Sequence, residues 1–298
     1  MRKHLCSLIA VALLTSVSYS AAQLVVHDFV EVGNPNNQAD LTGYGSVGYS
    51  FKISKYETTV DQYSKFLNAV ASTDYYNLYN TSMASGAIIQ NGVSNNRSYS
   101  AVVGYSKKPI SYVSWFDAAR YCNWLHNGAG VGANTETGAY TLNGANSGII
   151  MKNTDARFWI PTENEWYKAA YFDSIAGGYW RYATQSNTIG DSQANLGWSG
   201  GNPFTDVGYF SGYASAYGTY DQSGNASEWN DAVIGINARG ARGGAFFGGA
   251  PDPTVRDTSY YYNREGGELG FRVAMIPEPS SLSLLVLGGV VVALWRRK

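Results

Sequence analysis

Helical periodicity appears three times in this 298-residue chain and stops at Asp173; residues 174–275 carry none. In the first stretch Val60, Tyr63, Phe66, Leu67 and Val70 fall on one face, with Thr58 or Thr59 as the N-cap. The second begins at Ser114, with Asp117 three residues on as a capping-box partner, and its buried face is Phe116, Ala119, Tyr121, Cys122 and Leu125. The third follows "RFWIP"; Thr162 and Glu165 form the same reciprocal cap, and Trp166, Ala169 and Ala170 face inward. Residues 25–56 read as strands and turns, 72–108 as polar and irregular, and 127–148 as a Gly/Asn loop. Beyond Asp173 the chain is rich in Gly, Tyr and Asn, with short strands expected at "ARGGAFF" and "GFRVAM". With no fixed-period repeat, a few helices followed by long ordered loops and short strands indicate an α+β fold with little regular secondary structure.

Both ends of the chain differ from what lies between. Arg2, Lys3 and His4 precede an apolar run from Leu5 to Val17, and Ser20, Ala21 and Ala22 offer a small-residue cleavage site. Residues 1–22 therefore read as an export signal, to be removed by signal peptidase. At the other end Pro277, Glu278 and Pro279 precede an apolar run from Leu282 to Trp295 and then Arg296, Arg297 and Lys298. The run is short for a spanning helix, which needs about 20 residues, yet cations behind it are the usual membrane stop. This tail, "IPEPSSLSLLVLGGVVVALWRRK", resembles the PEP-CTERM sorting signal of Gram-negative bacteria. The resemblance implies recognition by an exosortase and delivery to the envelope surface or extracellular matrix, with a C-terminal membrane segment at 277–298. No linker or charge run divides residues 23–276, which are expected to form one domain.

The charge balance excludes some functions. Net charge is −1 and 14% of residues are charged, so the clustered Lys and Arg of a nucleic-acid surface are missing. Abundant Tyr (24) and Gly (34) suit a loop-rich recognition surface, and equally a fold that needs many turns. The two cysteines are Cys6 and Cys122, and the first leaves with the export signal, so the domain has one thiol and no internal disulfide. Its histidines are His27 and His126, too few ligands for a His/Cys zinc site.

Hard-oxygen ligands are better supplied. Asn225 and Glu228 offer an amide oxygen and a carboxylate three residues apart, and Gly224 lets the backbone turn so that carbonyls converge, a donor set suited to Ca²⁺. The alternative is an Asx-type turn that satisfies its own backbone. Trp115, Trp166 and Trp229 read as core anchors, and Arg242 as the partner of a buried carboxylate.

Five segments, in order, resemble one family. They are "SKYETTVDQYSKFLNAV", "KPISYVSWFDAARYCNWL", "RFWIPTENEWYKAAYF", "YGTYDQSGNASEWNDAV" and "RGGAFF" with "GFRVA" downstream. Over about residues 28–275 the chain resembles the formylglycine-generating enzyme, or sulfatase-modifying factor, domain. That resemblance implies a formylglycine-generating-enzyme-like fold related to C-type lectins. It also implies calcium at Asn225 and Glu228 with backbone oxygens near Gly224 and Ala226, and a second calcium site beginning at Asn195 and Leu196. The pocket of the family would lie near Arg242, Arg256, Tyr260 and Arg272.

The departure from the family is chemical. Its oxidising members bind copper through two cysteines that would fall near Gly248 and Pro253, and no cysteine follows Cys122. Gly and Pro supply no thiolate, so copper is not expected, and Cys122 reads as a small buried apolar residue. The expectation is a calcium-stabilised, non-catalytic binding or structural module at the cell surface, offering loops such as Tyr209–Tyr220 and Tyr260–Tyr262 to polysaccharide or a surface protein. The alternative is an oxygen- or metal-dependent enzyme with a divergent site on the same scaffold.

Overall fold

The computed structural model describes residues 27–197, 203–247 and 258–277. The three expected helices form where their caps stand. Helix α1 (Val60–Val70) starts at Thr59, whose side chain accepts from Gln62 N while the Gln62 side chain accepts from Thr59 N. Helix α2 (Trp115–His126) starts at Ser114 and helix α3 (Glu163–Tyr171) at Thr162, each with the same reciprocal pair, to Asp117 and Glu165. Such boxes satisfy the amides that a first helical turn leaves without intrahelical partners.

Helix α2 departs from its expected amphipathic pattern, because every residue from Trp115 to Leu125 is buried. The polar ones are covered by the loop that follows. Arg120 donates to Glu136 at 2.8 Å and to Asn146 at 2.7 Å, while Asn123 bonds the backbone of Thr135 and Tyr140. The loop thus takes its shape from polar side chains of the helix, each paired as burial requires.

Strands β1 (Phe29–Val32) and β2 (Phe51–Ser54) join β10 (Ala274–Met275) and β5 (Phe158–Trp159) in an antiparallel sheet ordered β1-β2-β10-β5. The two ends of the described domain therefore meet in one sheet. Within the span expected to be irregular, β3 (Ile88–Asn91) and β4 (Ser98–Ala101) form a hairpin. Asn68 of α1 clamps it by pairing with both backbone groups of Tyr99. A third sheet runs β8 (Thr258–Tyr261), β7 (Ala238–Arg242), β6 (Ser227–Ile234), β9 (Leu269–Phe271), with β6 and β9 parallel. Aromatic residues of α1, α2 and β9 close the core: Tyr121 lies 5.3 Å from Phe66 and 5.3 Å from Phe271, in edge-on contacts. Trp115, Trp166 and Trp229 are fully buried, as core anchors are. Among the described residues no helix is long and apolar enough to cross a membrane; the C-terminal run lies outside them.

Candidate functional site

The turn that leads into β6 brings the two expected calcium segments together. Gly224 (φ +115°) and Asn225 (φ +63°) both take left-handed backbone, and Asn225 N donates to Asn195 O at 2.9 Å. A Cβ on Gly224 would sit 2.4 Å from that same Asn195 oxygen, so only glycine allows this approach. The Asn225 amide is fully used: its Oδ1 accepts from Asn195 Nδ2 (3.1 Å), Thr205 N (3.1 Å) and Thr205 Oγ1 (3.2 Å). Its Nδ2 donates to Glu57 at 2.9 Å.

Glu228 is engaged as well. Arg272 Nε and Nη2 donate to its two oxygens at 2.5 and 2.6 Å, and Trp166 Nε1 donates at 2.7 Å. A calcium ion there would share its only carboxylate with a guanidinium. The side-chain donors expected at Asn225 and Glu228 are therefore committed to protein partners, and the segment of the second expected site, beginning at Asn195, touches this turn through the Asn225 N to Asn195 O bond. Around Arg272 stand two more carboxyls, the buried Glu57 and the half-buried Asp221. Burial, then repulsion by Asp221 and Glu228, pushes Glu57 well above the usual range; burial lifts Asp221 to about 6, against a bond from Gly208 N.

Two of the arginines expected near a ligand, Arg242 and Arg272, are committed to carboxylates instead. Arg272 is completely buried and also donates to the carbonyls of Ser54 and Tyr220. Arg242, 2% exposed, pairs with Glu163 at 2.7 Å beneath the rings of Tyr44 and Tyr167. Both expectations of a ligand-contacting role are corrected by that burial; the reading of Arg242 as a carboxylate partner agrees with it. Tyr260 is half-buried, with Trp229 on one side and Arg264 over its ring at 4.1 Å. Arg256, with positions 248 and 253, lies outside the described residues.

The open space lies elsewhere. A cavity of about 330 Å³ opens between the start of α1, the turn around Ser82–Ala87 and the pair Phe246–Phe247. Its aromatic wall is Tyr105, Tyr112, Phe204, Phe246 and Phe247; Phe204 and Phe246 meet edge-on at 5.0 Å. Lys108 and Glu268 lie on its rim, already paired with Asp206 and Arg264. Tyr112 holds φ +59°, costly for a bulky residue, and the Tyr112 N bond to Gly266 O secures it. Phe246 and Phe247 stand just after the R-G-G motif and Ala245, in a run expected as a strand; the "AFF" run was the signal for a wall.

No cysteine or histidine lines this space. Cys122 is buried in α2 and its thiol is pushed well above the usual range. His27 is buried against the Tyr121 hydroxyl at 2.8 Å, and its pKa falls to about 3. His126 Nδ1 accepts from Arg157 N. Among the described residues no three His, Cys, Asp or Glu gather as a metal site.

Comparison with known proteins is consistent with this geometry. The pattern of the sulfatase-modifying factor enzyme 1-like domain matches residues 26–276, and that of the PEP-CTERM protein-sorting motif matches 276–298. Hercynine oxygenase of Mycolicibacterium smegmatis is 28% identical over 127 residues, 43% of this chain; the chain spans 22% of that relative's length. CarF superposes with a TM-score of 0.58 at 23% identity, over 86% of this chain and 100% of CarF. Treponema denticola variable protein 1 gives 0.54 at 19% identity, over 84% and 95%. These two structures share the fold.

Proposed function

Because the chain belongs to the sulfatase-modifying factor enzyme 1-like domain family, we propose that it is a surface-sorted binding module that keeps the family's scaffold without its thiolate oxidation chemistry. Its PEP-CTERM motif implies export, exosortase processing and membrane association at the C-terminus. A Gram-negative envelope or extracellular matrix is the proposed destination. The observation that carries the reading is the wall of the cavity: aromatic rings and serine hydroxyls, with the domain's single thiol buried in α2 instead. Aromatic walls with a few polar groups suit reversible binding, while fold alone decides no chemistry. Calcium at the backbone carbonyls near Gly224 and Ala226, and at a second, separate site beginning at Asn195 and Leu196, is part of the proposal.

The test is oxygen uptake by the purified full chain with a cysteine-containing peptide, with and without added copper. The binding reading expects no peptide-dependent uptake. Similarity to an oxygenase over part of the chain favours the second reading, an oxygen- or metal-dependent enzyme with a divergent site. Uptake with stoichiometric copper or iron would establish it.

A further inference from the structure

A second concavity, of about 490 Å³, lies between Asp191–Ser192 and the loop Tyr209–Tyr213. Its loop is braced from below. Gly208 N donates to Asp221 at 2.6 Å, Val207 N to Lys107 O at 2.9 Å, and the Tyr220 hydroxyl to Ser211 O at 3.1 Å. Asp206 at its start pairs with Lys108 at 2.9 Å, and turn bonds join Tyr209 N to Asp206 O and Tyr213 N to Phe210 O. On this fixed backbone the rings stand out: Tyr209 is 58% and Tyr213 38% exposed, and Tyr209 meets Phe210 edge-on at 5.1 Å. Exposed rings on a loop already ordered by five hydrogen bonds and an ion pair lose little further freedom when something binds.

We infer that this groove binds a neutral saccharide, an assignment that rests on the binding-module reading and names its ligand class. Tyrosine rings offer flat apolar faces with a polar edge, the shape of a pyranose face with its hydroxyl rim. Asp191 and Ser192 supply oxygen acceptors for hydroxyl donors. Among the described residues Asp191 is the one acidic side chain lining the groove and no Lys or Arg lines it, so an acidic polymer meets repulsion. The volume lies within the range of about 300–1,000 Å³ usual for small-ligand clefts. Delivery to the envelope surface, which the sorting motif implies, brings the groove to polysaccharide.

The test is calorimetric titration of the purified full chain with neutral hexaoses of β-1,4-, β-1,3- and α-1,4-linked glucose, and with polygalacturonate as the acidic control. At least one neutral hexaose binds, and the double variant Tyr209→Ala, Tyr213→Ala weakens it about tenfold without lowering the melting temperature. Asp191→Asn weakens it with the fold equally intact. Binding of polygalacturonate alone, or of no neutral hexaose, overturns the assignment. So does neutral-sugar binding that survives the double variant; if Phe247→Ala then abolishes it, the ligand sits in the enclosed cavity and the binding-module reading stands. Oxygen uptake is the separate measurement on which that reading itself fails.

Discussion

Arg272 and Glu228 meet twice, Nε to one carboxylate oxygen at 2.5 Å and Nη2 to the other at 2.6 Å, with both side chains fully buried. The pair ties the sequence just before β10 to the start of strand β6, and Arg272 adds the carbonyls of Ser54 and Tyr220. It occupies the carboxylate that a cation at Glu228 would need.

Removing one partner of a buried ion pair leaves an uncompensated charge, at a cost of about 3–5 kcal/mol. Arg272→Ala is therefore expected to lower the urea unfolding free energy by about that amount. Arg272→Lys also destabilises, because an ammonium cannot reproduce the two-pronged contact together with the carbonyl bonds. Denaturation monitored by tryptophan fluorescence measures both.

Gly224→Ala places a methyl group 2.4 Å from Asn195 O on left-handed backbone. A loss of about 1–3 kcal/mol is expected. Gly130→Ala, where nothing lies within 4 Å of the added carbon, is the control and shifts the melting temperature little.

Calcium bound near Gly224 and Ala226, or at the separate site beginning at Asn195 and Leu196, stabilises the folded chain by mass action. Thermal unfolding in millimolar calcium is expected above that in chelator. A melting temperature identical in both conditions removes calcium from the account.

Two buried groups tilt the pH dependence in opposite directions. Burial lowers His27 to about 3, so between pH 3 and 6.5 the unfolded chain binds more protons, and stability falls as pH drops through that window. Burial, reinforced by Glu265, raises Asp117 to about 7, so from about pH 4 to 7 the folded chain binds more protons and stability falls as pH rises. His27→Gln should make the slope of stability against pH less positive between pH 4.5 and 6.5; Asp117→Asn should make it more positive. Urea midpoints at four pH values measure both slopes.

Local rules made the helices legible: Thr59, Ser114 and Thr162 each stand where the cap pattern puts them. The burial of Arg120 and Asn123 was not legible, because their partners Glu136, Asn146 and Thr135 lie in a loop that has no period of its own. The β3–β4 hairpin was missed for a related reason, since Asn68 of α1 orders it from outside. At the turn into β6 Asn225 and Glu228 were read as oxygen ligands for calcium, and in the fold both side chains are engaged by other residues. Their partners were not foreseen, since Arg272 lies 44 positions and Glu57 168 positions away in the chain. The cavity walls Phe204 and Phe246 likewise meet only through the fold.

The most direct measurement is elemental analysis of the purified full chain. The account predicts calcium without copper or iron, and no change in the result for Cys122→Ala. Copper or iron at one equivalent per chain would contradict it and return the protein to the oxygen-dependent enzymes of its family.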